Sequence, residues 1–280
     1  MNLFGVAQSK HYCSGFGKSQ LMPVGSLDKY AQVELTKTNV LKEGTDEFNK
    51  YRDCLLRETE RCLFLAISYY RRGFDLMSPA ASGWAQVTFY YSGFFAARSI
   101  LGMFGAWLSN STSLAVEVSA SSPGSQELMV VRKVQSSYKG SHQRFWDVFY
   151  ATVPPLSPWL DPQLRIVLTP VSGRADWLTV SRNEVNYDSF AACQLGAEFQ
   201  NGFMVNKFPS SLPGTLNTQY AVTDGLLSVA TKFAKELNLV TDALKTFKPH
   251  KSRALKLRRH VFSVRRPNLG QSERWNSLQI

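Results

Sequence analysis

The hydrophobic positions along this chain recur mainly with a helical period. The clearest example is the run from Trp84 to Leu108, in which apolar side chains return every three or four residues. The apolar positions on its inward stripe are Val87, Tyr91, Phe94, Phe95, Leu101, Phe104 and Leu108. Four small residues would let a second helix approach closely, namely Ser92, Gly93, Ala96 and Ala97. The pattern predicts a buried central helix that extends to Leu108.

The same run is long enough to cross a bilayer. Gln86, Arg98 and several glycines and serines interrupt it, and the mean hydropathy of the chain is -0.18. An arginine at the bilayer centre costs roughly 2.5 to 3.5 kcal/mol on insertion scales. The sequence therefore favours a helix buried in a soluble protein and no membrane partner.

The remaining periodicity predicts a mainly α fold, a helical bundle. Further helices are expected over residues 26–39, with Ser26 as N-cap, and over 45–77, 140–150 (capped by Ser141), 175–185 and 218–239. Alternating residues in 114–119 and 127–134, joined by a Ser-Ser-Pro-Gly turn, predict a β-hairpin inserted around 114–134. Three parts follow: a flexible N-terminal segment (1–25), a helical domain (26–240) and a C-terminal tail (241–280).

The charge of the chain is concentrated in the tail. The formal net charge is +11, and the stretch from Lys245 to the end holds ten Lys or Arg and one acid, Glu273, so +9 lies there. Basic residues alternate with Leu, Val, Phe and Trp, a composition that suits phosphate contacts. An acidic lipid surface, an acidic protein groove and a solvated tail without a partner are the alternatives.

Cysteine spacing and the N-terminus indicate a cytoplasmic protein with free thiols. The four cysteines form no CxxC pair, and Cys54 and Cys62 are eight residues apart on one predicted helix. That separation is about 12 Å, too long for a disulfide. The N-terminus has no apolar segment of signal-peptide length.

Sequence motifs of several enzyme classes are missing. GFGKS at 15–19 lacks the first glycine of a phosphate loop, because Tyr12 occupies that position. No zinc-ligand spacing, hydrolase elbow or carboxylate cluster is present, so no metal or other cofactor is expected.

Two motifs, FYYSGFFAARSIL at 89–101 and SRNEVNY at 181–187, resemble the HEPN superfamily. These are small helical bundles found in bacterial toxins, abortive-infection systems and CRISPR-associated ribonucleases. The family's second long helix often carries a Tyr-Tyr-x-x-Phe-x-x-Ala run, which matches this chain at Tyr90, Tyr91, Phe94 and Ala97. The resemblance covers roughly residues 45–240.

The family's active-site motif is an Arg, commonly followed by Asn, Asp or His, with a His four to six residues on. Arg182 and Asn183 match its first half, whereas Tyr187 stands where the histidine is expected. Metal-free RNA cleavage needs a base with a pKa near 7, and the ordinary pKa of Tyr, near 10, is poorly suited. His142 would have to enter the site from another helix.

The resemblance implies that Arg182 clamps a phosphate, with Asn183 as a donor beside it, in a site where two chains usually pair. The alternatives are an ion pair of Arg182 with Glu184 or Asp176, and a structural role for His142 at its helix start. The candidate nucleic-acid contacts are Arg71, Arg72, Lys251, Arg253, Lys256, Arg258, Arg259, Arg265 and Arg266. Arg71 and Arg72 at a predicted helix end are also favoured there by the helix dipole.

Two functions are therefore expected. The first is a defence or toxin endoribonuclease that acts on RNA without metal, works as a homodimer and is controlled by a neutralising or effector protein. The second is a catalytically inactive helical module that binds nucleic acid or a partner protein through the hairpin and the tail.

Overall fold

The computed structural model describes residues 2–16, 27, 40–109, 114–118, 128–133, 140–188, 191–196 and 214–239, and this part of the chain is predominantly helical. The main helices are α1 (Val6–Ser14), α2 (Asp46–Asp75), α3 (Ser82–Met103), α4 (Ser141–Thr152), α5 (Pro162–Arg165), α6 (Trp177–Tyr187) and α7 (Gly214–Glu236). Short 3-10 turns lie at Pro79–Ala81, Pro154–Trp159, Ile166–Leu168 and Val171–Gly173. The strands are β1 (Val40–Lys42), β2 (Trp107–Leu108), β3 (Leu114–Val118) and β4 (Leu128–Lys133).

The long helix α2 begins where its sequence predicts. The Thr45 side chain accepts a hydrogen bond from the Phe48 backbone N–H at 3.3 Å, and Asp46 and Glu47 occupy the first turn. The hydroxyl satisfies one N–H that has no partner within the helix, and the two acids interact favourably with the positive end of the helix dipole.

The central helix α3 packs against α2, α6 and α7. Its small residues permit these contacts: Ser92 Oγ donates to the carbonyl of Ala66 on α2 at 2.7 Å, and a Cβ on Gly93 would lie 3.1 Å from Thr223 on α7. Ala96 and Ala97 are completely buried. The predicted close helix approach is confirmed.

The predicted end of the central helix at Leu108 is wrong. The helix stops at Met103, and Gly105 takes a positive φ of 79°. The backbone N–H groups of Ala106 and Gly105 donate to the carbonyls of Leu101 and Gly102, which is the Schellman arrangement that closes a helix. The chain then turns back as strand β2.

The prediction of a flexible segment over 1–25 is also wrong for its first part. Residues 6–14 form α1, and Phe4 and Tyr12 are each 1% exposed within the main hydrophobic core. The Phe4 N–H donates to the Phe104 carbonyl at 3.1 Å, which ties the terminus to the end of α3. Apolar side chains at helical spacing explain this packing, despite the surrounding glycine and serine.

The strands pair in the order β1-β4-β3-β2, each antiparallel to its neighbour. Strands β3 and β4 lie within the two predicted hairpin segments, with Val116 opposite Val131. Strand β1, from the segment before α2, pairs with β4, and strand β2, from the segment after α3, pairs with β3. The predicted β3–β4 pair is therefore extended to four strands. The predicted turn between β3 and β4 lies outside the described residues.

Several further predictions can be compared with the structure. Helix α4 begins at Ser141 with Gly140 as its N-cap, so Ser141 is not the cap. Apart from Leu27, the helix predicted over 26–39 lies outside the described residues, as does the tail 241–280. No cysteine is in a disulfide, since Cys13, Cys54, Cys62 and Cys193 are all thiols. Among the described helices, none has both the length and the apolar character that a bilayer span requires.

Candidate functional site

Three helices bring Arg182 and His142 to the same tyrosine. Tyr90 of α3 is completely buried, and its hydroxyl lies 2.8 Å from His142 Nδ1 at the start of α4. The Arg182 guanidinium, from α6, lies over the Tyr90 ring at 4.9 Å from its centroid and over Tyr91 at 5.7 Å. Two candidate residues far apart in sequence thus meet in one cluster.

The Tyr90 hydroxyl is the centre of a small hydrogen-bond network. It accepts from Trp146 Nε1 at 3.3 Å and lies 3.2 Å from Thr179 Oγ1. Two proton arrangements satisfy it: Tyr90 donates to His142 Nδ1, or His142 Nδ1–H donates to Tyr90 and Tyr90 donates to Thr179. In the second arrangement His142 Nε2 carries a lone pair, and it makes no hydrogen bond to any described residue.

Arg182 has no counter-charge among the described residues. It is 9% exposed, and its Nε is buried without a hydrogen-bond partner. Neither alternative ion pair forms: Asp176 pairs with Arg174 at 3.4 Å, and Glu184 makes no ion pair with Arg182. A buried cation without a carboxylate is costly unless a ligand supplies the missing negative charge.

The environment of His142 keeps its imidazole neutral at pH 7. Burial first, and then the positive charges of Arg182 and Arg98, lower the pKa of His142 from 6.5 to about 4. Arg98 is buried over the Trp107 ring at 4.1 Å and donates from Nη2 to the Leu108 carbonyl at 3.3 Å. An anion bound beside Arg182 would offset this positive field and raise the pKa of His142.

The other two predicted catalytic residues are placed differently. Asn183 is half-buried, and its side chain makes no hydrogen bond with the described residues. Tyr187 is 78% exposed. It follows Arg182 by five residues, which turns it about 140° around the helix axis. The structure does not bring Tyr187 into the cluster with Arg182 and His142.

The predicted nucleic-acid contacts divide into two groups. Arg71 and Arg72 lie in the last turns of α2, where Arg71 is half-buried and Arg72 is exposed and 3.4 Å from Asp75. The tail cations from Lys251 to Arg266 lie outside the described residues. Only the first group can therefore be related to the cluster around Tyr90.

Sequence reasoning missed Trp146 and Thr179. Their spacing gave a usable signal, since Trp146 follows His142 by four residues and Thr179 precedes Arg182 by three, and such positions share a helix face. Within the described part of the chain, no group of His, Cys, Asp and Glu is arranged to hold a metal ion.

Searches against protein-family models, curated proteins and solved structures find no match to this chain. The site contains a buried guanidinium with no counter-charge among the described residues, a neutral imidazole and a hydroxyl network that orients that imidazole.

Proposed function

We propose that this chain is an HEPN-like, metal-independent endoribonuclease of the toxin or antiviral-defence type, working in the cytoplasm. Arg182 holds the scissile phosphate, and His142 acts as the general base. The observation that carries the proposal is that Arg182 and His142 face the same phenol, with no carboxylate paired to the arginine among the described residues.

The charge state of the cluster suits a phosphate. A guanidinium binds phosphate through two parallel charge-assisted hydrogen bonds, and an unpaired, largely buried guanidinium loses little water on binding. Its stacking over Tyr90 and Tyr91 holds the guanidinium in place before the ligand arrives. Such preorganisation is what stabilises charge that develops in a transition state.

The proposed reaction is an internal phosphoryl transfer in RNA. His142 Nε2 removes the proton of a ribose 2′-hydroxyl, and the 2′ oxygen attacks the adjacent phosphorus. The P–O5′ bond breaks, which leaves a 2′,3′-cyclic phosphate and a 5′ oxygen that takes a proton from water or from the protonated imidazole. Arg182 stabilises the negative charge that builds on the phosphate oxygens.

A homodimer belongs to the same proposal, because the HEPN resemblance implies that two chains line one groove. A neutralising or effector protein would then control the activity. Asn183, half-buried one residue after Arg182, is assigned a hydrogen bond to the substrate.

The test is RNA cleavage in EDTA. Wild-type protein should convert labelled RNA to products that end in a cyclic phosphate, and Arg182→Ala should lose at least about a hundredfold in rate, as expected when a transition-state donor is removed. Arg174→Ala is the matched control, since Arg174 is a nearby surface arginine paired with Asp176. Equal rates for both variants, or no cleavage by wild type, would contradict the proposal.

The second candidate function is a catalytically silent module that binds nucleic acid. The position of Tyr187, which leaves the motif without a base on α6, and the ten Lys or Arg from Lys245 onwards favour it. Deletion after Thr246 should then abolish a salt-sensitive gel shift with RNA. A shift that is unchanged by the deletion would remove this candidate.

A further inference from the structure

Three aromatic rings continue outward from the cluster along α2 and α3. Tyr69 of α2 stacks on Phe95 of α3 with centroids 5.7 Å apart and planes 13° apart, and it lies 5.9 Å from Tyr91. Tyr91 in turn lies 6.1 Å from the His142 ring, edge to face, and under the Arg182 guanidinium. The rings form an unbroken path from the Arg182 guanidinium to the surface.

This path is partly open to solvent. Tyr69 is 36% exposed, and Tyr91 and Phe95 are only partly buried, whereas the neighbouring Tyr90 and Tyr70 are 0% and 1% exposed. Most aromatic rings of α2 and α3 are therefore fully buried, whereas Tyr69 is exposed and Tyr91 and Phe95 pack against the core with part of each side chain still accessible. An exposed aromatic surface beside a cation is the usual composition of a site that stacks nucleic-acid bases.

Charge complementarity identifies the occupant. Arg72 follows Tyr69 by three residues on the same face of α2, and Arg182 lies at the other end of the path. A ligand that covers the rings would therefore meet the guanidinium of Arg182 at one end and, at the other, that of Arg72, which Asp75 at 3.4 Å partly neutralises. A nucleic-acid strand fits this surface, because its flat bases can stack on the rings and its phosphates can bind the arginines.

We propose that Tyr69, Tyr91 and Phe95 form a stacking platform for a base of single-stranded RNA, next to the phosphate held by Arg182. This inference depends on the proposed function and adds the substrate class to it. A duplex is not a ligand for the platform, because its bases already stack on one another and its deep major groove excludes side chains. The platform also positions the sugar between the base and the phosphate, close to His142.

The test is binding of a non-cleavable, 2′-O-methylated single-stranded RNA of about 12 nucleotides, followed by fluorescence anisotropy. Tyr69→Ala should raise Kd about tenfold, since removal of one stacking ring typically has this effect. Tyr69→Phe keeps the ring and should bind within about twofold of wild type. Tyr187→Ala removes a tyrosine that is 78% exposed away from the cluster, and it should also leave Kd unchanged.

The outcomes separate the two proposals. If Arg182→Met weakens binding but Tyr69→Ala does not, the platform is wrong and the phosphate site stands. If a duplex of the same sequence binds as tightly as the single strand, the platform is also wrong. If wild-type protein binds neither strand nor duplex, both proposals fail. Thermal melts of each variant show whether the fold is intact, which is expected because Tyr69 is exposed.

Discussion

Replacing Arg182 with methionine should change both the pKa of His142 and the stability of the protein. Methionine has a helix propensity similar to arginine and nearly the same length, so α6 is not penalised directly. The substitution removes the second cause of the lowered His142 pKa and leaves the first, burial, and the third, the positive charge of Arg98. The pKa of His142 should therefore rise above about 4 and stay below 6.5.

The lowered pKa of His142 also contributes to the free energy of unfolding. A fall from 6.5 to about 4 corresponds to about 3.4 kcal/mol. His142 is partly exposed, so solvent screening reduces its contribution to about 1–2 kcal/mol. Because the folded pKa lies below the unfolded one, the unfolded state binds more protons between pH 6.5 and about pH 4. This contribution is present at pH 7 and is lost as the pH falls through that window.

The loss of the cation itself should cost little at pH 7. The stacking over Tyr90 and Tyr91 is worth about 0.5–2 kcal/mol, whereas an unpaired buried charge costs several kcal/mol. We expect Arg182→Met to be neutral or up to about 2 kcal/mol more stable than wild type.

Urea unfolding at pH 7 and pH 4.5, together with NMR titration of the histidine rings, measures both quantities. The His142→Gln variant identifies the His142 resonance, because that resonance disappears from its spectrum. The difference in unfolding free energy between pH 7 and pH 4.5 should be about 1–2 kcal/mol smaller in this variant than in wild type. A destabilisation above about 2 kcal/mol in Arg182→Met would refute the reasoning, because it would mean that Arg182 is needed to hold the fold.

Three further predictions concern packing, capping and the network. Gly102→Ala should destabilise by about 1–3 kcal/mol in urea unfolding, because the new Cβ would clash with Thr59 Oγ1. Thr45→Ala should cost about 1 kcal/mol in the same assay, since it removes the N-cap of α2, and Thr45→Ser should restore most of it. Tyr90→Phe should lower the RNA cleavage rate while Kd stays near the wild-type value, because it removes the hydroxyl that orients the imidazole; an unchanged rate would show that this hydrogen bond is not used.

The helices were predictable because their signals are local. The start of α2 follows from Thr45 and the acidic first turn, and the burial of α3 follows from its apolar stripe and small residues. The end of α3 was also marked in the sequence by Gly105, which the apolar residues beyond it obscured. Composition misled at the N-terminus, where glycine and serine surround the buried rings of Phe4 and Tyr12.

The site was only partly predictable. The motif drew attention to Arg182, and His142 stood out as a histidine at a helix start, but no local pattern predicts that they meet over Tyr90. That meeting depends on how α4 and α6 pack on α3, which is a tertiary property. The motif also gave Tyr187 a role that its direction on α6 does not support.

The central claim is that Arg182 and His142, from separate helices, form one site. Single-turnover RNA cleavage by wild type, Arg182→Ala, His142→Gln and the double variant tests this claim most directly. Residues that act as one unit give non-additive losses, so the double variant should be about as slow as the slower single variant. A double variant whose loss of rate equals the product of the two single losses would contradict the account, as would single variants that cleave at the wild-type rate.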